Sequence, residues 1–362
     1  MSGGTTNFRY LIDSYLDWVA RERVPVVEGL GVDLDDVATA PWPRLGGGCR
    51  AALVHLRGRG DFLGVQLIEI PPGVQTDWLR HLYDDVFFVL SGRGSTSIEL
   101  GEGETRSFDW GPRALFAPPL NTRFRLAGLD SAPARLLCGN DLPFLMNVFR
   151  NEHFLFDHPA DFPERLARLA SEDEFVPVAP GRHLCETSFI PDLGALALPE
   201  WEARGAGFRN IDIVLSDSSM HAHVAEMPAG TYTKGRRHDA GVHVVGISGA
   251  GYTLLWKPGD TAFERLELRP GALFALTDET LHQHFNPGAE PLRYLAISIG
   301  SDRYPMLARK LKRRAVFDTS LKDGGLQIDY ADQDPRIHAL WREAISATGA
   351  ASRMEHVFEA RA

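Results

Sequence analysis

The sequence has few cysteines, no long apolar stretch and fewer basic than acidic residues. Its 362 residues include three cysteines, Cys49, Cys138 and Cys185. An odd, scattered set argues against a disulfide framework and for a reducing compartment, so we expect a cytoplasmic protein. No run approaches the ~18 apolar residues that a membrane span needs, and the first residues show no signal-peptide pattern.

The charge balance excludes a further class of function. Lysine and arginine number 38 against 48 aspartates and glutamates, which gives a formal net charge of −10. Because an acidic surface repels phosphate backbones, we do not expect a nucleic-acid partner. Glycine (35) and proline (23) are abundant, which suits short strands joined by tight turns.

Two stretches of the chain resemble each other at a nearly constant offset. PPGVQTDWLRHLYDDVFFVLSGRG (71–94) aligns with PAGTYTKGRRHDAGVHVVGISGAG (228–251) at an offset of 157, and ALFAPP (114–119) aligns with ALFALT (272–277) at 158. Within each copy, short β-rich runs recur between Gly/Pro turns. The pattern predicts an all-β protein built from two copies of one antiparallel sandwich or barrel.

Helical spacing of apolar residues is found outside the two copies. IDSYLDWVARE (12–22) predicts an N-terminal helix, 163–171 predicts a short helix, and Asp334 followed by Pro335 predicts the start of a C-terminal helix. We therefore predict an N-terminal helix and irregular arm (1–51), a first barrel (52–150), a linker with a short helix (151–205), a second barrel (206–310) and a C-terminal helical tail (311–362).

The stretch LHQHFN (281–286) carries two histidines two residues apart, His282 and His284. Residues at this spacing share one face of a strand, so Leu281 and Phe285 are expected on the opposite face. If the histidines face the interior of a barrel, they line a ligand cavity.

The second copy resembles a cupin. The second cupin motif, G-x5-P-x-G-x2-H-x3-N, matches this chain in spacing and in its closing His and Asn, while Thr replaces Pro and Glu replaces the middle Gly. The five positions are Gly271, Thr277, Glu279, His282 and Asn286. The first motif, G-x5-H-x-H-x(3–4)-E-x6-G, is kept in part: Arg236 stands at its first His, His238 at its second, and His243 at its Glu.

The whole chain is similar to bicupins, and among these to the gentisate dioxygenase-like group, whose iron is held by histidines without a carboxylate. The resemblance implies two cupin barrels, each a double-stranded β-helix or jelly roll. It also implies one divalent metal held by His238, His243 and His282, with His284 as a fourth ligand or a neighbour that orients His282. His238 and His243 are five residues apart, so a bulge at Gly241 would have to re-aim one of them.

Iron(II) is the metal we expect first, and Mn, Ni, Zn or Cu would suit the same nitrogens. Three neutral histidines leave the metal its full charge, which favours an anionic, chelating substrate. That charge also favours an oxygenase over an activity of the oxalate decarboxylase kind. Arg236, Tyr232 and Tyr252 lie close in sequence to the predicted site and are candidates for holding the substrate.

Other histidines receive a structural interpretation. Of the motif histidines, the first copy keeps only His81, because Phe124 and Leu126 stand where the second copy has His282 and His284. This barrel is therefore predicted to be metal-free, as a structural or dimer-forming half. His221 and His223, in MHAHVAEM, fall outside both motifs and are interpreted as a cavity wall or a partly exposed strand face.

Together these features predict a homo-oligomeric, metal-dependent bicupin oxidoreductase. The favoured activity is an Fe(II) dioxygenase acting on a small hydroxy-carboxylate, enolate or aromatic anion. One alternative is a non-oxidative isomerase, lyase or hydrolase that uses the metal as a Lewis acid. The other is a ligand-binding or regulatory protein without turnover.

Overall fold

The computed structural model describes residues 12–60, 62–101, 103–170, 173–179, 181–237, 241–278, 280–301, 303–304 and 316–355. The helices of these residues are α1 (Ser14–Glu22), α2 (Leu142–Phe149), α3 (Glu152–Leu155), α4 (Pro163–Ala167) and α5 (Pro335–Thr348). None of the described helices has the length and apolar character to cross a membrane.

Strands make up most of the regular structure. The N-terminal arm contains β1 (Val26–Gly29), β2 (Gly31–Asp33) and β3 (Ala40–Pro41). The first barrel contains β4 (Arg50–Leu56), β5 (Gly64–Ile70), β6 (Asp85–Ser91), β7 (Gly94–Gly101), β8 (Glu104–Trp110), β9 (Leu115–Phe116), β10 (Phe124–Gly128) and β11 (Ala134–Asn140). Between the barrels lie β12 (Glu174–Ala179), β13 (Arg182–Thr187) and β14 (Phe189–Ile190).

The second barrel repeats this series. It contains β15 (Arg209–Leu215), β16 (Met220–Met227), β17 (Thr231–Tyr232), β18 (Gly235–Arg237), β19 (Val242–Ser248), β20 (Gly251–Trp256), β21 (Glu264–Leu268), β22 (Ala272–Leu276), β23 (Leu281–Asn286) and β24 (Leu292–Ile299). The short strand β25 (Gln327–Ile328) follows in the tail.

Each barrel closes from one large and one small sheet. The first combines the order β1-β4-β5-β11-β6-β9-β14 with β10-β7-β8, and the second combines β12-β13-β15-β16-β24-β19-β22-β2 with β21-β20-β23-β18-β25. This confirms the predicted all-β class with two cupin-type barrels. The segment predicted as a linker also contributes to the second barrel, because β13 pairs in parallel with β15.

The duplication is visible in the contacts as well as in the sequence. The two barrels exchange short strands reciprocally: β2 of the arm pairs with β22, and β14 pairs with β9. Each barrel also places one glutamate between two arginines at equivalent positions, namely Glu69 with Arg50 and Arg135, and Glu226 with Arg209 and Arg293.

Several apolar layers hold the chain together. One fills the first barrel, and a second lies between the two large sheets, where strand residues from both barrels meet. A third fills part of the second barrel. The second barrel's small sheet is covered on its outer face by α5, whose Ile337, Trp341 and Ile345 pack onto it. These layers fix which face of each strand points inward.

The predicted helices form where the sequence places them. Asp13 caps α1 by accepting a hydrogen bond from the Leu16 backbone, and Asp334 caps α5 in the same way, with Pro335 in its first turn. The short helix predicted over 163–171 is α4 followed by a 3₁₀ turn, Arg168–Ala170.

Candidate active site in the second barrel

Strand alternation directs two histidines of β16 into the second barrel. Met220, Ala222 and Val224 point to the apolar layer between the barrels. The intervening His221 and His223 therefore point the other way, into the barrel. Their rings lie 5.3 Å apart between centroids, and Nε2 of His221 is 3.1 Å from Nδ1 of His223.

Asp212 joins these histidines from the neighbouring strand. It pairs directly with His223 in the antiparallel ladder, so both side chains share the inner face. Its Oδ1 lies 4.0 Å from Nε2 of His221, and its Oδ2 accepts a hydrogen bond of 3.1 Å from Arg182. Within the described residues, Asp212, His221 and His223 form the one group of three that brings metal-ligating atoms within 4.8 Å of each other.

His282 and His284 lie on the opposite wall of the same interior. Their ring centroids are 5.1 Å apart, while Leu281 and Phe285 pack outward beneath α5, as the sequence predicts. Nδ1 of His284 is 2.7 Å from the hydroxyl of Thr253. Burial and the nearby Arg204 hold the pKa of His284 well below its usual range, so its imidazole is neutral.

A tyrosine and an arginine connect the two walls. The ring of Tyr294 is 4.8 Å from that of His284 and 6.2 Å from that of His223. Arg204 is buried, donates to the Lys234 carbonyl at 2.8 Å and lies 3.4 Å from Nε2 of His282. Burial lowers the pKa of Arg204. Among the described residues no carboxylate lies within ion-pair distance of this guanidinium.

A second buried arginine, Arg236, faces His282 across the strand pair. Its guanidinium stacks 3.9 Å over Phe317 and donates to Asp318 at 3.0 Å. Burial, followed by the charge of Arg204, lowers its pKa well below the usual value. Of the three predicted substrate-binding residues, Arg236 is the one that the structure places beside the inward histidines.

His243 departs from the predicted metal set. It pairs with Ala275 and Ile297, which belong to the layer between the barrels, so it lies on the far face of the sheet from His282. The prediction relied on a bulge at Gly241. The register shift of β19 lies farther along the strand, after Gly246, so His243 keeps the ordinary alternation. Burial lowers its pKa to about 4.

Tyr232 and Tyr252 also lie outside the interior. They stack on Phe285 at centroid distances of 5.1 and 4.7 Å, on the face covered by α5. Tyr252 pairs with Phe285 and points outward with it, whereas the next residue, Thr253, points inward with His284. Proximity in sequence placed these tyrosines near the site, and strand alternation turns them away from it.

Two predictions concern His238 and the residues at the equivalent positions of the first barrel. His238 lies outside the described residues. His81 of the first barrel is bound to Asp85, with Nε2 2.8 Å from Oδ2, and its ring stacks on Tyr83 at 3.7 Å. Phe124 and Leu126 belong to the apolar core there.

Asp212, Arg204 and Tyr294 are site residues that were not predicted from the sequence. One signal for Asp212 was present: RNIDIVL (209–215) is an apolar strand with a single acid inside it, and a buried carboxylate needs a partner. Arg204 precedes the barrel in a 3₁₀ turn, and Tyr294 lies within an apolar run. Neither carries a local signal, because their approach depends on barrel closure.

Similarity between this chain and known proteins is found among solved structures, at low sequence identity. No family model and no curated protein matches the chain. Among solved structures, it is similar to the Lactobacillus farciminis oxalate decarboxylase in complex with formate, at 14% identity and a TM-score of 0.49, over 75% of this chain and 86% of the other.

A deletion mutant of the Bacillus subtilis oxalate decarboxylase is similar at 16% identity and a TM-score of 0.47, over 76% of this chain and 78% of the other. Neither is a gentisate dioxygenase, and the resemblance to that group stays a prediction. Proteins that share a fold at such low identity differ widely in activity, so this similarity does not identify the reaction.

Proposed function

We propose that this chain is a metal-dependent enzyme that acts on a small anionic substrate inside its second barrel. One observation carries the proposal. Arg204, only 3% exposed, has no carboxylate within ion-pair distance among the described residues. A buried guanidinium with no carboxylate in contact is costly, by roughly several kcal/mol, and is typical of a site that an anion completes.

Arg236 supports the same conclusion. Because Arg204 and Arg236 repel each other in a buried environment, an anionic group bound between them would stabilise both charges. Guanidinium groups also bind carboxylates in a two-pronged geometry. A substrate carboxylate is therefore expected at this wall, beside His282.

The opposite wall suits a cation. Asp212, His221 and His223 offer one carboxylate oxygen and two imidazole nitrogens, which are ligands of divalent first-row metals. A bound divalent cation would supply Lewis acidity for polarising the substrate. The ring of Tyr294 lies between the two walls. Its side chain is hydrogen-bonded to Arg204, which places it close to the expected carboxylate. It is positioned to hold the substrate's orientation.

Non-oxidative cleavage, of the lyase kind, is the reaction class that we propose first. The sequence argument for an oxygenase depended on an all-histidine site with the full charge of its metal. Asp212 now stands in the candidate ligand group and removes one unit of that charge. The charge argument therefore no longer favours an oxygenase. Lewis-acid chemistry on a carboxylate substrate becomes the preferred reaction class.

An oxygenase is the second candidate, because one specific observation favours it. Two histidines and one carboxylate with open metal positions are the ligand set of many non-haem Fe(II) oxygenases. Iron(II) and a dioxygenase reaction are therefore retained as the alternative to the lyase reaction.

Thermal unfolding with a panel of small mono- and dicarboxylates tests the anion site. Ligands should raise the Tm of the metal-loaded wild type, and Arg204→Gln should abolish the rise. Arg209→Gln removes an exposed arginine of the same barrel and serves as the matched control. If Arg204→Gln responds to ligands as the wild type does, the proposed substrate site is wrong.

Product formation with and without oxygen then separates the two reactions. Turnover that continues under strict anaerobiosis supports the lyase. Turnover that consumes oxygen in proportion to product supports the oxygenase. No turnover of any panel member by metal-loaded protein would leave a binding function and contradict the enzyme.

A further inference from the structure

We infer that the divalent metal is held by Asp212, His221 and His223, on strands that no cupin motif marks, rather than by the motif positions around His282. The inference rests on the proposed function and names the ligands that it needs. All three side chains point into the second barrel from adjacent strands, because Asp212 pairs with His223 and His221 is two residues from His223.

The distances suit one ion. Metal–nitrogen bonds of ~2.1 Å place two cis ligand atoms ~3.0 Å apart and two trans atoms ~4.2 Å apart. Nε2 of His221 and Nδ1 of His223 are separated by 3.1 Å, close to the cis distance. Nε2 of His221 and Oδ1 of Asp212 are separated by 4.0 Å, between the cis and trans distances. An ion bound between them needs only small side-chain rotations.

Neighbouring groups hold the carboxylate in place for this role. Arg182 donates to Oδ2 of Asp212 at 3.1 Å, and Asn210 donates to Oδ1 at 3.4 Å. Second hydrogen bonds of this kind orient ligating carboxylates in metal sites. The side chain of His221 remains 17% exposed, so the group lies close enough to the solvent for an ion to enter.

The motif histidines that the structure describes, His243 and His282, lack these properties. Nε2 of His282 lies 3.4 Å from the guanidinium of Arg204, and a divalent cation bound to that nitrogen would meet a second buried positive charge. His243 points to the layer between the barrels and cannot share an ion with His282. The interior is thus divided between a cation wall at Asp212 and an anion wall at Arg204.

The positions equivalent to these three ligands can be identified in the first barrel. Arg50 pairs with Glu69 there as Arg209 pairs with Glu226 in the second barrel, which aligns the strands. On that alignment Leu53 stands for Asp212, Gly64 for His221 and Gln66 for His223. None of these three is a metal ligand of the same kind, so we expect one metal per chain.

Two imidazoles and one carboxylate select the metal class. They suit divalent first-row transition ions such as Fe, Mn, Co or Zn rather than Mg or Ca, which prefer all-oxygen sites. Three protein ligands would leave open positions on the ion, where a substrate could bind.

Metal content of purified full-length protein tests the assignment without any activity assay. The apoprotein is loaded with Co(II) or Mn(II), desalted and analysed for metal, and the visible spectrum of the Co(II) form is recorded. The wild type should bind about one ion per chain. His223→Ala and Asp212→Asn should weaken binding by ~100-fold or more. His81→Ala, in the first barrel, is the control and should bind as the wild type does.

His282→Ala decides between the two locations. Retained metal with an unchanged Co(II) spectrum supports Asp212, His221 and His223 as the ligands. If His282→Ala loses the metal while His223→Ala keeps it, the inference is overturned and the proposed enzyme survives with a motif site. A wild type that takes up no transition metal overturns both. Because His223→Ala could fold poorly, metal-free Tm values of all variants are compared first, and Asp212→Asn provides the near-isosteric check.

Discussion

The two barrels share strand order, register and even individual contacts, yet their interiors differ in kind. Thr96 of the first barrel and Thr253 of the second occupy equivalent inward positions, opposite Leu126 and His284 respectively. The hydroxyl of Thr96 accepts a hydrogen bond from Trp110 inside an apolar core, whereas that of Thr253 binds the His284 imidazole.

Polar side chains replace apolar ones at further inward positions of the second barrel. Where the first barrel has apolar side chains, the second has polar ones, in the pairs Leu53/Asp212, Phe124/His282, Leu126/His284 and Leu136/Tyr294. The outer contacts, such as the glutamate between two arginines, are kept in both. The fold therefore depends on features that the two copies share, and the chemistry depends on a few inward positions that they do not.

The largest expected effect comes from giving each of the equivalent positions 126 and 284 the residue of the other barrel. Leu126→His buries an imidazole in a fully apolar core, and we expect it to lower the free energy of unfolding by about 3–5 kcal/mol. His284→Leu removes one hydrogen bond, that with Thr253, and should cost only about 1 kcal/mol. Chemical denaturation of both variants measures the difference. Equal losses would show that the second barrel's interior is as tightly packed as the first.

An acidic pair of the first copy should make its own contribution to the pH dependence of stability. Asp141 is buried beside Asp84, and burial together with that second carboxyl raises its pKa far above 3.8. The native state then keeps a proton that the unfolded chain loses as the pH rises above ~4, so stability should fall from there toward neutral pH and slightly beyond. The second copy has Ile299 at the equivalent position.

Asp141→Asn should flatten that dependence. We expect the variant to gain on the order of 1–3 kcal/mol over the wild type between pH 5 and pH 8. The measurement is a series of urea unfolding curves across this range. If the difference in stability between Asp141→Asn and the wild type does not grow with pH over this interval, Asp141 is ionised in the native state and the prediction is wrong.

The sequence predicted the fold for a physical reason. Gly/Pro turns, alternating strands and the 157–158-residue repeat are local or pairwise signals, and they led correctly to two barrels. The common face of His282 and His284, opposite that of Leu281 and Phe285, was also predictable, because alternation within one strand needs no knowledge of its partners.

The site was less predictable because it depends on partners across strands. His243 was assigned by motif spacing, and its direction depended on where the bulge of β19 falls. Asp212 meets His223 only through the ladder of β15 and β16, and Arg204 reaches His282 only when the barrel closes. Sequence spacing contains neither fact.

Removing the buried charge of Arg204 should stabilise the protein while it abolishes substrate binding. Arg204→Met keeps the length of the side chain and removes a guanidinium that has no carboxylate partner among the described residues. We expect a gain of about 1–2 kcal/mol in the free energy of unfolding, reduced by the lost bond to Lys234. Denaturation without added anions measures it. A loss above ~2 kcal/mol would indicate that Arg204 is a structural residue instead.

The smallest effect compares the contacts that both barrels keep. Arg293 is 11% exposed and donates to Glu226 at 3.0 Å, whereas Arg50 is 37% exposed and lies 3.5 Å from Glu69. Because screening by water weakens the more exposed pair, Glu226→Gln should cost about 1–2 kcal/mol and Glu69→Gln less than ~0.5 kcal/mol. High salt should reduce the smaller cost further and leave the larger one nearly unchanged. Equal costs in both barrels would mean that the repeated ion pairs stabilise the fold through the strand register that they share rather than through their burial. The inward positions would then account for the whole difference between the two copies.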